Sequence, residues 1–137
     1  MKQGSSLLIV LFLLGVHKLY SQSNSVENGK TVYTIFCQSC HMENGLGEPA
    51  VYPPLAGANN LSNKDKLVQV ILRGMRGELT VKGVKYNAEM APIDLTDQEV
   101  ADVINYIRNA WGNKASLIKK SDVSPAKKAI VKGYTPF

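Results

Sequence analysis

The chain has 137 residues and a formal net charge of +5, and that charge is unevenly placed. Six lysines follow Gly112 against Asp122 alone, whereas residues 23–111 hold eight Lys or Arg and ten Asp or Glu, a net of −2. This is a mildly acidic body with a basic end and no interleaving of aromatic with basic residues, which speaks against nucleic acid as a partner.

The N-terminus reads as a leader. Lys2 precedes an uninterrupted apolar run from Leu7 to Leu14, and small polar residues follow in YSQSNS. Charged, apolar and small-residue regions in that order mark a secretory signal peptide. The run is far short of the roughly 20 residues that span a bilayer, so an uncleaved anchor is the weaker alternative. We assign residues 1–22 to the signal peptide, with cleavage near Ser21 or Ser23, and expect the mature protein in the periplasm with no transmembrane anchor. What remains is long enough for one domain with its own core. We place that domain at 23–112 and a basic C-terminal tail at 113–137.

Three segments carry helical patterning. In the first, Ser25 is the expected cap, Glu27 lies in the opening turn, and Gly29, Val32, Tyr33 and Phe36 recur at helical spacing up to Cys37. The second begins at Ser62 in SNKD and runs through Leu67, Val68, Ile71 and Leu72 to a stop at Gly74. The third opens with the capping box TDQE, and Val100, Val103, Ile104, Ile107 and Trp111 form its apolar stripe. Between them, Met42 to Asn60 is a loop rich in Gly, Pro and Asn, and Glu78 to Asn87 alternates around Lys82-Gly83 as a short hairpin. In the tail, Ser124 and Pro125 suit the start of a short helix. A long loop in so small a domain is usually functional or wrapped around something. Three short helices therefore point to a large apolar ligand that supplies the missing interior.

Residues 36–45, FCQSCHMENG, hold both cysteines and, once the leader with His17 is gone, the only histidine. Zinc fails by count, because a tetrahedral site normally takes four Cys or His ligands. A thioredoxin-like disulfide needs a βαβ setting, and no apolar strand precedes this segment. C-x-x-C-H is the attachment signature of c-type haem. Thiols one helical turn apart, here Cys37 and Cys40, can bond the two vinyl groups on one porphyrin edge, and the imidazole of His41 then reaches the iron from the same side. With no second histidine, the sixth ligand falls to a thioether. Met42 adjoins His41 and cannot reach the opposite face, and Met75 can equally be a packing residue. Met90, in YNAEMAPI with the rigid Pro92 close behind, is the favoured ligand.

These motifs, in this order, resemble the class I cytochromes c, in particular small exported bacterial mono-haem members, over about residues 26–111. The resemblance implies an all-α cytochrome c fold: three main helices with long loops wrapped around one covalently attached haem, and a short hairpin before the methionine loop. It implies that the N- and C-terminal helices cross at Gly29, with Tyr33 and Tyr106 as paired aromatics. It also implies that the carbonyl of Pro53 orients His41 and that Leu55 packs on the haem. Many relatives carry two prolines directly after the methionine, whereas this chain has Ala91 and then Pro92.

Filled axial positions leave no open site for substrate, so the expected activity is one-electron transfer through the haem edge rather than enzymatic turnover. Arg73 and Tyr86 are candidate donors to the haem propionates; the alternatives are a solvated helix-end charge and a half-buried strand residue. Trp111 reads as a core plug or rim aromatic. Expected partners are redox proteins, met by weak electrostatic docking as a monomer, and the basic tail favours an acidic one. The rival readings are a haem-based ligand sensor or minor peroxidase with a labile methionine, and a haem subunit of a larger respiratory or dehydrogenase complex.

Overall fold

Helix α1, residues 24–36, turns Gly29, Val32 and Tyr33 inward and leaves Thr34 and Ile35 in solvent, as its periodicity requires. The structure is a computed structural model that describes residues 24–87 and 89–137; the expected signal peptide and His17 lie outside the described residues. Ser25, the expected cap, is already inside α1. Its hydroxyl donates instead to the buried carboxylate of Asp102. After a turn at Cys37 the chain resumes as the single-turn helix α2, Gln38–His41.

A 3-10 turn at Asn59–Ser62 leads into α3, Lys64–Arg73. Ser62 is taken up by that turn, so the N-cap falls one residue later than the sequence suggested. The Asn63 side chain accepts from the Lys66 N–H at 3.0 Å. Strands β1 (Leu79–Val81) and β2 (Val84–Tyr86) pair antiparallel with Leu79 opposite Tyr86 and Val81 opposite Val84. Lys82 and Gly83, with φ of 50° and 80°, form the two-residue turn between them.

Helix α4, Asp97–Ile107, opens with the capping box read from TDQE: Thr96 Oγ1 accepts from the Glu99 N–H, and Glu99 accepts from the Thr96 N–H. It buries Val100, Val103, Ile104 and Ile107. The helix stops at Ile107, with Arg108 as its C-cap, so Trp111 is not a fourth rung of the stripe but a residue beyond it with φ of 52°.

The stretch after Gly112, expected as a tail outside the domain, is part of the same core. Ile118, Val123 and Ala126 join the buried cluster of α1, α3 and α4. Its helix, α5, spans Lys120–Ala126, starting four residues before Ser124 and placing Pro125 near its end. Asp122 supplies the cap by accepting from the Lys119 N–H at 2.8 Å. Amide side chains hold this stretch down. Asn105 on α4 donates to the Ile118 carbonyl and accepts from the Ile118 N–H, at 2.9 and 2.8 Å. Gln69 on α3 donates to the carbonyls of Ala126 and Ala129 at 2.8 and 2.7 Å.

The crossing of α1 over α4 sets the frame. A Cβ placed on Gly29 would lie 1.9 Å from the Asp102 carbonyl oxygen, so the two backbones touch. Tyr33, Tyr106 and Trp111 close the crossing as a triangle with ring centroids 5.1–5.4 Å apart. The Tyr33 hydroxyl donates to the Met42 carbonyl at 2.6 Å and the Trp111 indole N–H to the Glu43 carbonyl at 3.0 Å. The crossing thus anchors the chain just past His41.

Candidate functional site

The loop from Met42 folds back on itself. Leu55 and Ala56 donate to the Gly45 carbonyl at 2.7 and 2.9 Å, and Glu48 pairs with Tyr52 in an isolated bridge. Gly47, with φ of 61°, makes this return possible: a Cβ there would stand 2.2 Å from the Tyr52 carbonyl oxygen and 2.8 Å from that of Pro53. The result is that the Pro53 carbonyl oxygen lies 3.0 Å from His41 Nδ1. A carbonyl can only accept, so Nδ1 carries the proton. Burial lowers the His41 pKa below its ordinary value, partly offset by this hydrogen bond. The ring is therefore neutral at pH 7 with its lone pair on Nε2, the state in which imidazole binds a metal.

His41 opens into a cavity of about 420 Å³. Phe36 at the end of α1, Cys37 at the turn and Cys40 of α2 line it, as do Pro53 and Leu55 from the loop. The rest of the lining comes from Leu67 and Ile71 of α3, Leu79 and Tyr86 of the hairpin, Met75 and Met90, and Ile104 and Ile107 of α4. Phe36, 44% exposed, is on the rim, which explains why an apolar side chain at helical spacing is left partly in solvent.

Cys37 and Cys40 are not joined in a disulfide. Burial, then the neighbouring Cys40, pushes the Cys37 thiol up to about 11. A redox-active pair needs a depressed thiol pKa, so the shift speaks against thiol–disulfide chemistry. A buried and a half-buried thiol lining an apolar cavity instead suit covalent attachment of whatever fills it.

Met75 and Met90 come together on the wall, each amide N–H donating to the other's carbonyl at 2.8 Å. Met42 is exposed and is not among the lining residues. Arg73 is not among the lining residues; its guanidinium donates to the Lys127 carbonyl at 2.7 Å, fastening the C-terminal stretch. Sequence reasoning missed Asn60, which lines the cavity with its Oδ1 buried and without a hydrogen-bond partner. Nothing in the spacing of GANN marks one asparagine as inward-facing. An apolar cavity with a neutral imidazole, two thiols, thioethers and an unpaired amide fits a flat, mostly apolar group with a metal centre and a polar edge.

The family model for cytochrome c matches residues 26–111. The chain belongs to the cytochrome c family. It is 41% identical over 107 residues to cytochrome c-552 of Thermus thermophilus, covering 74% of this chain and 71% of the relative. It is 37% identical over 111 residues to the cytochrome c subunit of a quinone alcohol dehydrogenase from Gluconobacter oxydans (strain 621H), covering 77% of this chain and 23% of the subunit. It is 32% identical over 110 residues to a cbb3-type cytochrome c oxidase subunit from Azospirillum brasilense, covering 75% and 34%. As a class I cytochrome c it carries one covalent c-type haem with its iron and works in electron transport. Among the described residues, no helix is long and apolar enough to cross a membrane.

Proposed function

We propose that the chain is an exported one-electron carrier in which Cys37 and Cys40 hold the haem and His41 and Met90 fill the axial positions of its iron. The observation that carries this reading is the His41–Pro53 contact of 3.0 Å, which fixes a neutral imidazole at the wall of a cavity that Cys40 and Met90 also line. When bound, the haem supplies reversible one-electron chemistry at iron. The residues do the rest. The Pro53 carbonyl holds ring orientation and proton position at His41 and raises the basicity of Nε2. Ile71, Ile104 and Ile107 keep water from the buried side, which disfavours the extra charge of the oxidised state. Leu55 packs on the same cavity. Gly29, Tyr33 and Tyr106 hold the crossing that anchors the attachment segment, so that the geometry changes little as the electron comes and goes.

Optical spectra of the protein matured by export, oxidised and reduced, with and without carbon monoxide, test the reading. The expected result is a c-type spectrum with the weak thioether–iron charge-transfer band and no response to carbon monoxide. A response at the iron would favour a ligand sensor or minor peroxidase. A second reading, a haem subunit of a larger complex, draws on the dehydrogenase and oxidase subunits among the relatives. Co-purification of a partner from the native membrane would favour it. For a free carrier, weak docking onto an acidic partner should weaken with salt.

A further inference from the structure

The bridge between Met75 and Met90 has a chemical consequence. Residues that exchange both backbone hydrogen bonds across an antiparallel pair stand directly opposite, and their side chains leave on the same face. Here that face is the cavity wall, which both methionines line, each half-buried. The site therefore offers two thioethers side by side in the cavity that His41 also lines. An apolar filler would serve for packing alone, but methionine is also a soft donor on an unbranched side chain with three rotatable bonds.

The backbone under Met75 is held from behind. The Tyr134 hydroxyl donates to the Gly74 carbonyl at 2.9 Å, the Arg76 N–H to the Thr135 carbonyl at 3.1 Å, and the Phe137 N–H to the Arg73 carbonyl at 3.2 Å. With the main chain pinned on both edges, the freedom that remains at Met75 is in its side chain, on the cavity that Met90 also lines.

We propose that Met75 is a reserve axial ligand, whose thioether takes the sixth position of the haem iron when that of Met90 is lost. The exchange breaks one iron–sulfur bond and makes another; no proton or electron is transferred. The inference rests on the reading of Met90 as the resident ligand.

The test compares Met75→Leu, Met90→Ala and the double variant, each matured by export and checked for covalent haem. The readouts are the thioether–iron band and carbon monoxide affinity of the reduced protein. Met75→Leu should keep the thioether–iron band, because Met90 is still present. Met90→Ala should keep a thioether band and bind carbon monoxide at least tenfold more weakly than the double variant, which should show no band. If Met90→Ala and the double variant behave alike, with the band gone in both, Met75 is packing only and the proposal is overturned while Met90 stands. If Met75→Leu alone abolishes the band, Met75 is the resident ligand and both readings fall. Should Met90→Ala not accumulate, the volume-conserving Met90→Leu is read against its own Met75→Leu double by the same criteria.

Discussion

Gly29 rests against the backbone of Asp102 so closely that a Cβ on it would sit 1.9 Å from the carbonyl oxygen and 2.5 Å from the carbonyl carbon. Neither atom belongs to a flexible side chain, so no rotamer change relieves the clash. Gly29→Val should therefore force the helices apart at a cost of about 3 kcal/mol, the upper range for overpacking. Because Tyr33 and Trp111 carry the displacement to the backbone of Met42 and Glu43, the loss should also reach the haem segment. Denaturant unfolding of the matured protein checks the first effect and haem yield after export the second. A variant as stable as the native chain would remove the crossing from the account.

Acid should attack the site through His41. Its folded pKa lies below the ordinary histidine value because burial disfavours the charged ring. The unfolded chain then binds more protons than the folded one below about pH 6.5, so stability from the neutral ring is fully present above that pH. It is lost as pH falls through the lower folded value. With His41 as the proposed iron ligand, metal on Nε2 would deepen the same preference. Spectra should stay unchanged from about pH 8 to below about 6.5 and then shift as the imidazole leaves the iron. A transition centred at or above pH 6.5 would mean that the ring is not protected as described.

Much of this was legible in the sequence where chemistry needs few residues close together. C-x-x-C-H, the TDQE box and the Lys82-Gly83 turn are local signals, and each falls where it was read. The C-terminal stretch was not legible, because what holds it are polar side chains from distant elements. Gln69, Asn105 and Asn113 are buried or half-buried amides that bond backbone carbonyls far along the chain, and in a linear reading they are ordinary polar residues. The partner that Arg73 finds here was hidden for the same reason. It is the Lys127 carbonyl, 54 residues on.

That stretch supplies a further expectation. Removing Tyr134 to Phe137 deletes three hydrogen bonds to the segment Arg73–Arg76, each worth about 1 kcal/mol net. Because this segment pairs with Met90, the deletion should loosen the methionine side of the site as well as lower stability. Unfolding free energy should fall by about 3 kcal/mol, and the reduced protein should take up carbon monoxide faster than the full-length chain. Lower stability with unchanged carbon monoxide kinetics would confine these residues to a structural role. Tyr134→Phe, which removes only the hydroxyl, should show the same direction to a smaller degree.

Asn60 offers a test whose sign carries the information. Its Oδ1 is buried in the cavity wall with no hydrogen-bond partner. Replacing an unsatisfied buried amide by an apolar residue of similar size relieves a desolvation cost of about 1–3 kcal/mol, so Asn60→Leu would stabilise a protein in which nothing faces it. If a haem propionate lies there, the amide turns its N–H group toward the carboxylate, and the same change removes a charge-assisted hydrogen bond. The propionate's negative charge is then less compensated, which favours oxidised iron. Asn60→Leu should therefore lower both stability and reduction potential, the latter by about 30 mV, half of a tenfold shift for one electron. A more stable variant with an unchanged potential would place the propionates elsewhere, leaving Tyr86, which is buried on the same cavity, as the donor to test next.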